Sequence, residues 1–189
     1  MKSRVFLILF VSGSFLASAQ SDSTRNRISY FNAFHAGGLF GKKGNGSGES
    51  FSTIHGIRLR KVAFGIGVGY DAYQEWRTVP VFASFTYEFL AIRYNAFFIQ
   101  LNAGYAKAWF PLEEQDQFTY DRKRGPCAHP LLGYRICGLK FDIYLTAGYK
   151  FQAINYVQTP EWQSWNPGSK YYIGRDMERI SIQLGFGFH

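Results

Sequence analysis

Histidine and cysteine are the side chains here with the widest chemistry, and their spacing limits what they can do. His35 and His55 stand on two segments joined by one connection, so they can approach one another across a hairpin. A zinc-type centre needs three or four ligands, and no third ligand stands at a matching spacing. Two unrelated polar or interfacial histidines are therefore expected, with no metal. His129 and His189 have no evident partners. A Ser-His-acid triad assembles from distant positions, so a hydrolase stays open as an alternative, although no local signature for one is present. Cys127 and Cys137 invite a disulfide if the chain is exported. They bracket a segment that reads as one strand, which would hold them about 33 Å apart, whereas a bridge needs Cα atoms within about 7 Å. Free thiols are expected, with an intermolecular bridge through Cys127 as the minor alternative. Nothing in these patterns calls for a cofactor.

The elements that must position these groups are strands. From Val62 to Tyr73, large apolar residues (Val62, Phe64, Ile66, Val68, Tyr70) alternate with Ala63, Gly65, Gly67, Gly69 and Asp71. Successive strand side chains point to opposite faces, so one face is apolar and the other nearly bare. Ile180, Ile182, Leu184, Phe186 and Phe188 repeat the code against Ser181, Gln183, Gly185 and Gly187. Between residues 139 and 152, Leu139, Phe141, Ile143, Leu145, Ala147, Tyr149 and Phe151 share one face. Eight strands are predicted, at about 29–40, 51–60, 62–73, 79–90, 96–109, 128–137, 139–152 and 178–188. Short connections near 61, 91–95 and 138 alternate with generally longer ones at 41–50, 74–78, 110–127 and 153–177. That rhythm suits a chain threading up and down through a membrane with tight periplasmic turns and larger outer loops.

The compartment is read from the first residues. Lys2 and Arg4, the apolar run Val5–Leu16 and the small residues Ala17-Ser18-Ala19 have the form of a secretory signal peptide, so residues 1–19 are expected to be removed and 20–189 to form one barrel domain. No cysteine follows the cleavage site, which argues against a lipoprotein anchor. No later stretch reaches the roughly 20 apolar residues a spanning helix needs, so membrane crossing must be by strands. An aromatic content of 19% with 20 glycines fits strands better than helices. Removing Lys2 and Arg4 lowers the formal charge from +8 to +6. The remaining cations are scattered along alternating strands, with no recognised nucleic-acid motif, so lipopolysaccharide phosphates or acidic surface polymers are the expected anionic partners.

Alternation alone does not say which face is inside: a soluble lipocalin-like carrier turns its apolar face inward, a membrane barrel outward. Gly65, Gly67 and Gly69 decide for the second, because a run of glycines suits a narrow lumen. With the ending Phe186-Gly187-Phe188, similar to the terminal signal recognised by the barrel assembly machinery, the chain resembles the small eight-stranded bacterial outer-membrane barrels of the OmpA/OmpX type and, more loosely, the PorT-like barrels. His189 follows the usual final aromatic, and Gln183 stands where that signal often has Gly. The resemblance implies an all-β, antiparallel, up-and-down eight-stranded transmembrane β-barrel, monomeric and in the outer membrane, with no catalytic residue carried over.

By this parity Arg58, Arg60, Asp71, Glu88, Arg135, Lys140, Asp142 and Lys150 face the lumen. Enclosed charges need partners, so a network of ion pairs bridged by Gln100, Asn102 and Tyr144 is expected to fill it. A gated conduit for small ions is the competing use. Of the loops, 110–127 sets Glu113, Glu114, Asp116 and Asp121 against Arg122-Lys123-Arg124. The last carries Trp162, Trp165, Tyr171 and Tyr172 around Asn166-Pro167-Gly168, and these aromatics are the candidate contact with an envelope or surface protein. Their competing duty is the interfacial girdle of a membrane barrel. The expected work is a non-enzymatic structural or surface-interaction role. The alternatives are an enzyme acting on lipid A or phospholipid at the barrel wall and a secreted small-ligand carrier.

Overall fold

The alternating segments pair edge to edge until the last meets the first. The computed structural model describes residues 28–41, 46–73, 76–109, 118–138, 140–160 and 171–188. The expected signal peptide and cleavage site lie outside these residues. Eight strands run β1 (Ile28–Phe40), β2 (Ser47–Leu59), β3 (Val62–Ala72), β4 (Arg77–Ile92), β5 (Asn95–Trp109), β6 (Phe118–Cys137), β7 (Phe141–Pro160) and β8 (Tyr171–Phe188). Each pairs antiparallel with its neighbours in chain order, and β1 pairs with β8 to close the barrel.

The register fixes the barrel's shape. Directly paired residues lead from Phe188 to Asn32, His55, Ile66, Ala83, Ala103, Ala128 and Phe151, and return to β8 at Glu178, ten positions from the start. A stagger of ten over eight strands tilts them by about 40° from the axis, given ordinary strand spacings. Each residue along a strand then rises about 2.5 Å, and each step to the next strand on this path about 3 Å. Heights below are measured this way from the level of Phe188.

Outside, a continuous apolar belt runs round the wall: Phe64, Ile66, Val68, Leu101, Leu132, Leu145, Ile182 and Leu184 are all exposed. Exposure on this scale across every strand is the surface of a barrel standing in hydrocarbon, whose apolar band is about 25 Å tall. Inside, residues of the opposite parity are polar groups, or large apolar side chains such as Phe82 and Phe98 set against glycines and alanines. This is the arrangement argued from Gly65, Gly67 and Gly69.

Three strands exceed expectation. β6, β7 and β8 continue into 118–127, 153–160 and 171–177, which read as connections because their apolar/polar alternation lapses. Alternation requires two unlike environments, and past the top of the lumen it is lost: Gly174, Arg175 and Asp176 are exposed in succession, on both faces of β8. Backbone pairing alone carries the strands there: Tyr120 opposes Gln158, and Gln158 opposes Tyr171.

Candidate functional site: a braced lumen and a projecting sheet

At the short-turn end four charges converge from four strands. Arg135 Nη2 lies 2.9 Å from Glu88 Oε1, and its Nη1 3.2 Å from Asp142 Oδ2. Arg58 reaches the same carboxylates at 3.7 and 3.6 Å. The Tyr144 hydroxyl accepts from Arg58 at 3.2 Å and donates to Asp142 at 3.3 Å. Two guanidiniums thus face two carboxylates, which leaves this layer formally neutral. Arg58 also lies over the Phe31 ring, 5.3 Å from its centroid.

Above this layer the lumen is filled by large side chains set against glycines. A Cβ added at Gly133 would sit 2.2 Å from the Phe98 ring, and one at Gly67 would sit 2.4 Å from Phe82. Each glycine is therefore the seat of an aromatic ring from a neighbouring strand. Phe31, Ala33, Ile54, Ala63, Phe82, Phe98 and Tyr144 form one buried cluster there.

A second polar layer follows. Lys150 Nζ lies 2.6 Å from both carboxylate oxygens of Asp71, whose Oδ1 also accepts from Ser50 at 2.7 Å. Gln183 donates to Ser50 at 3.2 Å, and His129 Nε2 stands 2.6 Å from Ser181 Oγ. The void between these groups, lined by Ser50, Asn102, His129, Lys150 and Gln183, holds about 10 Å³, room for one water. Over it Leu39, Tyr73, Trp76, Ala108, Ile154 and Met177 form an apolar cap.

Above the cap the wall is unequal. The β5 ladder to β6 ends at Lys107–Arg124 and the β1 ladder to β8 at Phe40–Ile180, while β6, β7 and β8 continue pairing with one another. By the register, Phe118, Pro160 and Tyr171 stand at about 42 to 45 Å, against about 23 to 31 Å for the tops of the other strands. A three-stranded sheet thus projects past the rim on one side. Among the described residues no strand pairs with the outer edges of β6 above Arg124 or β8 above Ile180.

Comparison with known proteins agrees with this geometry. No protein-family model matches the chain, and no curated protein matches it in sequence. Among solved structures, Neisserial surface protein A aligns with a TM-score of 0.58 at 16% identity, covering 86% of this chain and 98% of that one. The outer membrane protein AlkL, determined in lipid bilayers, aligns with a TM-score of 0.53 at 12% identity, covering 90% and 93%. The fold is that of a small eight-stranded outer-membrane barrel. At these identities the likeness concerns architecture alone.

Within this barrel several residues stand elsewhere than expected. Arg60 and Lys140 are exposed at the short-turn end rather than luminal. Arg60 occupies a left-handed turn position (φ 52°), where the strand has ended and its parity no longer applies. Tyr171 and Tyr172 belong to β8 rather than to a loop, and Trp162 and Trp165 lie outside the described residues. Gln100 donates to Asn102 at 2.9 Å, a level above the arginine layer rather than bridging it. Cys127 and Cys137 are free thiols. Trp76 was not singled out from the sequence. It lies in a connection, where no strand parity points inward.

The two histidines of the first hairpin face opposite ways. His35 is buried in the lumen, its ring 5.6 Å from that of Tyr144, while His55 lies on the lipid-facing parity of β2. On that outer face the Tyr30 hydroxyl lies 2.6 Å from His55 Nδ1, and Thr53 Oγ1 lies 3.2 Å from Nε2. A hydroxyl, an imidazole and an orienting group in series is the layout of an acyl-transfer site. Depth argues against that use. Thr53 stands at about 11 Å, near the middle of the belt, and the chain only approaches the interface through Tyr30. The hydroxyl that would attack is therefore the member furthest from lipid ester bonds.

Proposed function

We propose that this chain is a non-enzymatic outer-membrane barrel that works as a surface-interaction platform, presenting the β6–β8 sheet above a closed lumen. The observation that carries the reading is the register: three consecutive strands stay paired beyond the levels at which β5 and β1 end. Unpaired backbone edges above the membrane suit an extended segment of an envelope or surface protein, which can add as a further strand. The segment with Trp162 and Trp165 lies in sequence between Pro160 and Tyr171, both well above the lipid belt, which favours contact over girdle duty. Lipid, lipopolysaccharide and the barrel assembly machinery are the partners that the signal peptide and outward faces require. The filled lumen speaks for a scaffold rather than a conduit.

Crosslinking in native membranes followed by pull-down tests this. Trp162→Ala with Trp165→Ala should leave the heat-resistant folded form intact and weaken capture of the partner. Unchanged capture with lowered stability would return the tryptophans to the girdle. Recovery of the folded chain from a soluble fraction would reject the membrane reading altogether.

A further inference from the structure

The upper rim is not evenly charged. On β4, β5 and β6 the outward parity carries Arg77, Lys107 and Arg124 near the rim, while on β8 it carries Asp176 and Glu178. Lys107 and Arg124 are exposed and directly opposed across the β5–β6 ladder. Arg77 opposes Trp109, one outward position above Lys107 on β5. Its guanidinium is pinned to the rim by donating to the carbonyls of Tyr73 and Trp76. Like charges directly opposed on a sheet destabilise it unless an anion lies between them. Among the described residues, none of the ion pairs involves Lys107 or Arg124.

Height supplies the second observation. Lys107 and Arg124 stand at about 26 and 29 Å, just above exposed Ile180 and Phe40 at about 20 and 23 Å, where the apolar wall gives way to the outer-leaflet headgroups. Directly below them the wall is apolar, with Tyr105 63% and Val81 61% exposed. A ligand filling both levels carries anionic oxygens above acyl chains.

We propose that Arg77, Lys107 and Arg124 form a binding site for the phosphate groups of a phosphorylated outer-leaflet glycolipid of the lipopolysaccharide class. A phosphate between Lys107 and Arg124 converts a repulsive cross-strand pair into two charge-assisted contacts, and Arg77 supplies further donors from β4. The acyl chains lie against Val81 and Tyr105. The site rests on the outer-membrane reading for its biological setting, but it is independent of the projecting sheet and can be measured in detergent.

The test uses the full mature chain folded in neutral detergent micelles, with bisphosphorylated lipid A, its dephosphorylated counterpart and inorganic phosphate as probes. Lipid A with both phosphates should bind about tenfold more tightly than the dephosphorylated form, as expected for loss of a charge-assisted contact. Lys107→Gln with Arg124→Gln should remove that preference, while Lys107→Arg keeps it. Equal affinity for the two lipids in the wild type overturns the proposal, whatever the variants do. So does a folded double variant that keeps the preference. Displacement of lipid A by inorganic phosphate at comparable concentration would assign the site to free phosphate and overturn the lipid source. Fractionation reports separately on the membrane reading.

Discussion

Lys150 on β7 and Asp71 on β3 meet at 2.6 Å across the lumen. Their strands stand four apart in a barrel of eight, so the pair is a brace between opposite walls. Both side chains are almost wholly removed from solvent. Each charge is therefore tolerable only because of the other, and Ser50 and Thr78 complete the carboxylate's hydrogen bonding.

Asp71→Asn should accordingly destabilise the barrel by about 3 to 5 kcal/mol, the range for breaking one side of a buried pair. Asp71→Leu combined with Lys150→Met should recover most of that loss. Equilibrium unfolding in lipid vesicles measures both, and a single variant as stable as wild type would show that the brace carries little.

Depth predicts an unequal response to arginine on the outer wall. β7 begins at Phe141, which leaves Ile143 close to the short-turn interface. Leu184 stands at about 10 Å, well inside the belt. Leu184→Arg should cost about 2 to 4 kcal/mol, and Ile143→Arg about 0 to 1 kcal/mol. Equal costs in the same unfolding assay would show that the heights assigned from the register are wrong.

Gly133→Ala should destabilise by about 1 to 3 kcal/mol through overpacking, because the added methyl meets the Phe98 ring in a filled layer. Phe98→Leu in the same chain should relieve part of it. Near-additive losses in a double-mutant cycle would separate the two residues energetically.

Trp76 is 1% exposed at the top of the lumen, yet removing it should not open a pore. Trp76→Ala leaves the Asp71–Lys150 layer and the arginine layer in place below. Loss of the ring should lower stability by about 3 to 5 kcal/mol and leave planar-bilayer conductance unchanged. Steady ion current through the variant would make the cap a gate.

How far the sequence reveals this depends on where each segment lies. Ile180 to Phe188 is legible because lipid on one side and lumen on the other impose a period of two. Tyr171 to Asp176 is the same strand continued into water, where that constraint vanishes and the residues read as loop. Parity likewise places Arg58 and Asp142 inside but misleads for Arg60 and Lys140, since a turn resets direction within one or two residues. Which carboxylate meets Lys150 depends on closure, and no local pattern encodes a partner four strands away.

The meeting of β1 with β8 also orders the assembly of the barrel. Every other ladder joins strands consecutive in sequence and can form as a hairpin, whereas this one brings Asn32 to Phe188 and must wait for the intervening chain. Loop-closure entropy makes it the nonlocal, rate-limiting event. Until it occurs, β1 and β8 each present an unsatisfied edge inside an environment with no water to bond it. A chaperone or insertase that shields those two edges therefore acts on kinetics, protecting the chain from off-pathway aggregation without altering the stability of the finished barrel.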